Sequence, residues 1–458
     1  MGRTAEAGAS KQSGGQPGHR PSGTGDGPRR RGWRATLRAL RHRNFQLFFS
    51  GQFVSLVGTW MQTIAQDWLV YRLTGSAFLL GIVVFINQIP IFLLGPVAGI
   101  VADRYNRRHI VIATQSASMV LALILAGLTL SGTIRVWQIM VIASLLGVVN
   151  AFDIPARQSF LIEMVGRDDL LNAIGLNSAM FNGARVVGPA IAGIMVATIG
   201  EGWCFFANGV SYVAVIACLL TMRITHRAVL EQHGSYLENI VEGLRFARKT
   251  VPVRSLLLLI GLISLGATPY SVLMPIFAGR ILHGDARTLG ILMGVTGAGA
   301  LLGALAVASK TSVQGLGRWV WVSSLGLGAS LVLFSISRHV WLSILPLMLV
   351  GFTIMLAASA INTLVQAMSP DRLRGRVMGL YSMMFVGMTP IGALLAGAVA
   401  ARLGAPWTVA IGGLACLAGG ALFARHLPAI RGQARELLRA QGMMPTDPAN
   451  PVTLPPPA

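Results

Sequence analysis

Acidic residues are scarce in this chain. Asp and Glu number 16 against 37 Lys and Arg, and charged residues of all kinds make up 12% of 458 positions. Aromatic residues reach 7%, there are three cysteines, and 53% of the chain is hydrophobic. So little charge cannot keep a folded surface of this size in water. The composition excludes an ordinary soluble domain and leaves a polytopic membrane protein. A formal net charge of +21 would suit nucleic acid if the basic residues formed a patch on a soluble domain. They fall instead between long apolar runs, so no nucleic-acid partner is expected. Cys204, Cys218 and Cys416 lie inside apolar runs at spacings that fit no metal site, and read as packing residues. No GxxxxGK[ST] loop, metal-ligand spacing or nucleophile triad appears, which points away from an enzyme, from a bound cofactor and from direct ATP drive. The first 44 residues are polar and basic, without the apolar core or cleavage site of a secretory signal.

What is present is a series of twelve apolar stretches, at 45–71, 77–101, 109–130, 136–156, 172–199, 203–222, 255–280, 287–308, 318–337, 340–362, 376–401 and 405–426. Each is long enough to cross a bilayer as a helix. Of the 37 Lys and Arg, odd-numbered loops hold six: Arg72, Arg135, Arg280, Arg287, Arg338 and Arg402. Arg185 alone lies deep within a span, and the rest sit in the tails and even-numbered loops or at the span ends that meet them. That asymmetry predicts an all-α membrane protein of twelve transmembrane helices with both termini in the cytoplasm. The expected organisation is a disordered basic tail over 1–44 (Arg29, Arg30, Arg31, Arg34, Arg38, Arg41 and Arg43 meeting anionic lipid at its end), a six-helix bundle over 45–222, a cytoplasmic loop over 223–254, a second six-helix bundle over 255–426, and a cytoplasmic tail from Leu427 that is basic, then Pro-rich, and expected to be disordered.

The two bundles read as copies of one unit. Gly175-Leu-Asn-Ser-Ala-Met-Phe-Asn-Gly183 matches Gly379-Leu-Tyr-Ser-Met-Met-Phe-Val-Gly387 at an offset of 204, and the same offset carries Gly188, Ala192 and Gly193 onto Gly392, Ala396 and Gly397, and Gly95 and Gly99 onto Gly299 and Gly303. Duplicated halves suit a transporter that rocks one half against the other around a site between them. In the middle loop Leu237, Ile240, Val241 and Leu244 share a helix face, with Ser235 and Glu238 as a capping box, which predicts a helix lying on the membrane surface.

Polar residues inside the spans mark candidate function. Gln52, Ser55, Thr59, Gln62 and Gln66 follow a 3,4,3,4 spacing and form one stripe on the first span. That stripe must face water or protein, and a solute path is the preferred reading over helix–helix hydrogen bonding. Asp67 follows directly, about 33 Å along the helix from Phe45. A carboxyl shielded from water there is placed to exchange a proton, against the plainer reading of an exposed acid at the helix mouth. Arg185, twelve residues or so into the fifth span, needs a partner, a watery cavity or an anionic substrate; Asp67 is one possible partner, and Asn177, Ser178 and Asn182 add to the polarity of the same helix. Pro189 is expected to bend that helix and Gly188 and Gly193 to admit close neighbours.

The loop after the second span reads Gly95-Pro-Val-Ala-Gly99-Ile-Val-Ala-Asp103-Arg104-Tyr-Asn106-Arg107-Arg108. It resembles the signature loop between helices 2 and 3 of the major facilitator superfamily, with Asn106 where that pattern has glycine, a mild departure because Asn also tolerates a left-handed turn. Gly188-Pro189-Ala-Ile-Ala-Gly193 resembles the glycine–proline motif of helix 5 in drug/proton antiporters, its final glycine one place late. Asp67-Trp-Leu-Val-Tyr-Arg-Leu-Thr-Gly-Ser76, Asp153-Ile-Pro-Ala-Arg157 and Ser235-Tyr-Leu-Glu-Asn-Ile-Val-Glu-Gly-Leu-Arg-Phe246 resemble the bacterial exporter branch related to enterobactin and macrolide efflux proteins. The resemblance covers residues 42–426. It implies a monomeric secondary transporter in the bacterial inner membrane that exports a drug-like compound, siderophore or secondary metabolite against protons. It further implies a latch on the cytoplasmic side, in which Arg104 pairs with Asp153 at the end of helix 4 and Asp103 faces Arg374 and Arg376 at the start of helix 11, with Gly99, Arg107, Arg108 and Arg157 around it. An importer or lipid flippase of the same fold, or a membrane sensor that moves nothing, remains open at this point.

Overall fold

A computed structural model describes residues 37–166, 168–222, 236–310 and 312–441. The basic cluster Arg29, Arg30, Arg31 and Arg34, the Ser235 end of the capping box and the last seventeen residues lie outside them. Among the described residues the secondary structure is helical, without strands. The membrane helices are α1 (Arg43–Thr74), α2 (Ala77–Arg104), α3 (Arg107–Leu130), α4 (Val136–Val165), α5 (Leu170–Ile199), α6 (Glu201–Thr221), α7 (Val251–Ile281), α8 (Ala286–Ala308), α9 (Leu316–Ile336), α10 (Val340–Met368), α11 (Asp371–Leu403) and α12 (Ala405–Ala440).

Eleven of these, α2 to α12, are long and apolar enough to cross a membrane. The exception, α1, has 32 residues, enough for about 48 Å, but carries the polar stripe. Its course follows from its two ends. Arg38 and His42, just before α1, bind Asp169 at the start of α5 at 2.7 and 2.8 Å. Arg72, in its last turn, binds Glu201, just after α5 ends, through Nε to Oε1 at 2.8 Å and Nη2 to Oε2 at 3.2 Å. So α1 runs the full height of α5 and crosses with it, giving twelve spans.

The duplication read from the 204-residue offset is visible in space. A Cβ on Gly193 of α5 would lie 2.9 Å from the Ala286 carbonyl oxygen and 3.0 Å from Gly290 Cα on α8. Its repeat mate Gly397 on α11 meets Ala77 and Gly81 of α2 at 2.9 and 3.1 Å. Gly188 packs α5 on Trp60 of α1, as Gly392 packs α11 on Thr268 of α7. The halves therefore meet along two equivalent seams, α5 with α8 and α2 with α11, where glycine lets backbones touch.

Three features differ from the sequence reading. First, α4 does not end at Asp153-Ile-Pro155 but runs on to Val165 with Pro155 inside it. The charges there are absorbed by neighbours, as described below. Second, α12 continues fourteen residues past its apolar stretch to Ala440 where a disordered tail is expected. The reason is legible afterwards: Leu427, Ile430, Ala434 and Leu438 recur at three- and four-residue intervals and pack onto the second half. Third, Asn106 is not left-handed. Its backbone is extended and its side chain caps α3, accepting from the Arg108 and His109 amides at 3.0 and 3.4 Å.

The linker helix, Tyr236–Lys249, docks on α11 through Gly243, which sits against Arg376, and through Glu242. Val241 and Leu244 stay exposed on its other side.

Candidate functional site

The stripe on α1 faces a cavity of about 180 Å³ inside the first half. Gln52, Ser55, Thr59, Gln62, Gln66 and Asp67 form one wall; Asn87 and Gln88 of α2, Gln115 and Ser118 of α3, Asn150, Asp153 and Arg157 of α4, and Tyr212 of α6 form the others. The stripe serves both readings at once. Asn208 Nδ2 donates to Gln62 Oε1 at 2.7 Å and the Thr59 and Tyr212 hydroxyls are 3.4 Å apart, so part of it ties α1 to α6. Gln52 Oε1 and Gln115 Oε1 are buried without a protein partner. Both residues line the cavity, which is roomy and polar enough for water to satisfy such oxygens.

At the end of the cavity nearest the start of α1, Asp153 is held on three sides. Its Oδ1 accepts from Thr114 Oγ1 at 2.9 Å and Gln115 Nε2 at 3.0 Å, and its Oδ2 lies 3.3 Å from Arg157 Nε. These contacts give a buried carboxyl group hydrogen-bond partners inside the bundle. Arg104, the partner expected from the resemblance, is instead exposed and makes no ion pair among the described residues. The difference is geometric: Arg157 is one helical turn from Asp153 on the same helix and reaches it first.

Arg185 lies elsewhere. Its guanidinium rests over the Trp60 ring, 5.7 Å from the centroid, and its backbone carbonyl meets Gly297 of α8. It belongs to the seam between the halves, whereas Asp67 lines the cavity within the first half, and no ion pair joins them. A cation on an aromatic face is only modestly compensated, so the Arg185 charge remains available. Asn182, one turn earlier, donates to the Ser178 carbonyl at 2.8 Å and leaves its own Oδ1 buried and unpartnered. The Pro189 carbonyl oxygen lies against Gly290 across the seam, where a Cβ would not fit.

The expected latch is apart. Asp103 is 68% exposed and reaches only Arg107 of its own loop, at 3.6 Å. Arg107, 9% exposed, is anchored to Glu163 of α4 at 2.8 Å and to the Ala102 carbonyl at 3.1 Å. Arg108 caps the end of α6 by donating to the Leu219 and Leu220 carbonyls, both at 2.9 Å. On α11, Arg374 binds Asp371 at 2.6 Å, while Arg372 and Arg376 both bind Glu242 of the linker helix. Of the arginines assigned to Asp103, Arg376 is thus taken by the linker and Arg374 by its own helix.

The glycines explain why. At the end where α5 finishes and α8 begins, Gly193, Gly290, Gly81 and Gly397 are in backbone contact across both seams, and Gly279 sits against Tyr71. At the opposite, arginine-rich end a Cβ on Gly95, Gly99, Gly175, Gly375 or Gly379 would meet nothing within 4 Å. The molecule is closed at one end and open at the basic end. Gly95 and Gly99, four residues apart on one face of α2, meet open space in this conformation, whereas their repeat mates Gly299 and Gly303 pack α8 against α10.

Sequence reasoning missed Asn87, Gln88, Gln115, Asn150 and Asn208. They are single polar residues in apolar helices with no stripe to announce them; the signal available was their cost in a span.

Residues 34–448 match the family described as Transmembrane secretion effector. The chain is 29% identical to the staphyloferrin A transporter of Staphylococcus aureus over 81% of this chain and 93% of that protein. It is 28% identical to the multidrug efflux pump Tap of Mycolicibacterium fortuitum over 76% and 87%, and 25% identical to the enterobactin exporter EntS of Shigella boydii over 81% and 89%. Its fold is that of a bacterial homolog of the human lysosomal transporter Spinster (TM-score 0.62, 16% identity, 87% of this chain and 98% of that one) and of the nucleoside transporter NupG (TM-score 0.63, 14% identity, 84% and 98%). Duplicated six-helix halves, a signature loop after the second span and a match over nearly the whole length lead to one conclusion: the chain belongs to the Transmembrane secretion effector family, in the exporter branch of the major facilitator superfamily.

Proposed function

We propose that this transporter exports an anionic or amphiphilic small molecule, a siderophore, drug-like compound or secondary metabolite, from the bacterial cytoplasm in exchange for protons. The basic end is the cytoplasmic end, both termini lie there, and the protein works as a monomer in the inner membrane. The observation that carries this reading is the polar cavity of the first half, which joins the Asp153–Arg157 pair near the open basic end to Asp67 deeper in the helix. Asp67 is the proton-exchanging group. Gln52, Thr59, Gln62 and Gln66 line the approach to it, and Arg185, with Asn182 beside it, meets the negative charge of the solute. The relatives that carry siderophores and drugs support the substrate class.

In this cycle the present state accepts solute from the cytoplasm. Closing the basic end brings Gly95 and Gly99 against the second half and lets Asp103 reach the start of α11. It must then compete with Glu242 for Arg376, so the linker helix and the latch share one cation. Gly188, Pro189 and Gly193 form the seam that parts as the far end opens.

The test is to compare small molecules inside and outside cells that lack or make the protein, with and without an uncoupler. A compound retained by deficient cells and released by producers only while the gradient holds establishes export and names the substrate. Full gradient-driven transport by an Asp67→Asn protein would remove Asp67 from the mechanism.

A further inference from the structure

A second cavity lies away from the seams and from the polar cavity of the first half, beside the α12 extension. It measures about 670 Å³ and opens at the basic end of the second half, between the ends of α7, α9, α10 and α12. Its volume is in the range of small-molecule sites. Its inner wall is apolar and buried: Leu256, Leu364, Met368 and Phe423. Its rim carries four arginines, Arg318, Arg431, Arg435 and Arg439, and among the described residues no carboxylate lines it. Arg318, Arg431 and Arg435 are exposed and in no ion pair among the described residues.

The first half shows what such arginines otherwise do. There α6 stops at Thr221, and Arg108 is spent on its last carbonyls. In the second half α12 runs on to Ala440, and its extension builds one wall of the cavity with two guanidinium groups unspent. Apolar floor and cationic rim together select an amphiphile with a phosphate or carboxylate head, since a planar guanidinium binds such groups bidentately.

We propose that this pocket holds the phosphate headgroup of an anionic phospholipid of the inner leaflet, its upper acyl segment lying on Leu256, Leu364 and Phe423. The assignment to that leaflet rests on the orientation proposed above. At the depth of the pocket the medium is the anionic headgroup layer, which favours clustered arginines there. Bound lipid would pin the α12 extension to α7 and α10.

The test is thermal unfolding of the purified full-length protein in neutral detergent, titrated with short-chain phosphatidylglycerol, short-chain phosphatidylcholine, or glycerol 3-phosphate. Saturable stabilisation by phosphatidylglycerol alone is expected, with half-saturation moved up about tenfold for each of Arg318→Gln, Arg431→Gln and Arg435→Gln, and unmoved by Arg425→Gln, an exposed arginine on α12 outside the pocket. Equal effects of the two lipids, or a titration unchanged in all three variants, would overturn the proposal. A full response to glycerol 3-phosphate would also overturn it, in favour of a soluble anion. If the variants do not fold, a photoreactive phosphatidylglycerol on the unmodified chain must label 313–318 and 423–439; labelling confined to other segments refutes the site. Detergent is blind to orientation, so failure here is distinct from an error in the proposed topology.

Discussion

Replacing Gly193 by valine is expected to open the far end of the transporter. A Cβ at this position would come within 2.9 Å of a carbonyl oxygen and 3.0 Å of a Cα on α8. Both are backbone atoms of a packed helix, so neither can swing aside as a side-chain tip would. Overpacking of this kind costs about 1–3 kcal/mol. The cost applies only while the seam is closed, so it shifts the balance between the two end states by about 5- to 150-fold toward the state with the far end open. Gly99→Val provides the opposite arm. Nothing lies within 4 Å of a Cβ there in the present state, so the substitution is free now and costly once the basic end closes.

Spin-label distances read both arms. Ser178 and Ser382 are repeat mates at an offset of 204, exposed on the inner halves of α5 and α11, and Thr198 and Arg402 are the corresponding pair near the far ends. With Cys204, Cys218 and Cys416 replaced by alanine, cysteine labels at the first pair should approach in Gly193→Val while the second pair separates. Gly99→Val should leave both distributions as they are in the unmodified protein under conditions that favour the present state, and should suppress the opposite one. Identical distributions in the two variants would refute the assignment of the α5–α8 contact to a seam that opens.

Four further outcomes follow. Asp67→Asn is expected to abolish transport driven by a proton gradient while leaving solute-driven exchange measurable in proteoliposomes. Arg185→Gln should weaken binding of an anionic substrate about ten- to a hundredfold, the scale of one charge-assisted contact, with little effect on a neutral one in the same binding assay. Asp103→Asn should shift the molecule further toward the open basic end, seen as greater labelling of a cysteine at Ser382; unchanged labelling refutes the latch. Asp169 is held below the ordinary carboxylate value, first by its hydrogen bond with the His42 ring and then, against some burial, by Arg38. Its folded value is the lower one, so the clamp is complete above about 3.8 and is lost as pH falls through the folded value. Protection of the amides in residues 37–46, measured relative to their intrinsic exchange rate at each pH, should therefore be the same at pH 7 and pH 5 and fall near pH 3, and in Asp169→Asn it should be low at every pH.

The fold was legible because its signals are long and repeated. Twelve apolar runs, the alternation of arginines between loops and a 204-residue offset are redundant, so errors at single boundaries do not matter. What was misjudged depended on tertiary partners. Composition marks residues after Leu427 as a tail, since arginine and proline dominate; only the docking surface offered by α7 and α10 turns the sparse Leu427, Ile430 and Leu438 pattern into a helix. Asp153 and Pro155 look like a helix end until Thr114, Gln115 and Arg157 absorb the charge. Asn106 was noticed for tolerance of a left-handed turn and is used for its side-chain oxygen. The stripe on α1 was found by its period, but the walls opposite it come from a few residues spread over four other helices, and no local pattern joins those.

The latch shows a different limit. Asp103, Arg374 and Arg376 were matched as one interaction, and in this conformation each has another partner. The reason is that a rocking transporter needs every gate contact to be replaceable: a salt bridge with no alternative would leave a bare charge each time it broke, at a cost of several kcal/mol when shielded from water. Arg107 need not change partners in such a cycle, because Glu163 and the Ala102 carbonyl lie on its own half. Asp103 is exposed and loses little when unpaired. Arg376 has Glu242 on a helix that travels with the second half. The residues that let go are thus the ones compensated by water or by their own half. The same reasoning predicts that Glu242, which lies in neither bundle, sets the balance. Glu242→Gln should release Arg376 toward Asp103 and raise the population closed at the basic end, the reverse of Asp103→Asn. The double variant should return to an intermediate position. If Glu242→Gln and Asp103→Asn shift the Ser178–Ser382 distance in the same direction, the two carboxylates do not compete and the shared-cation account is wrong.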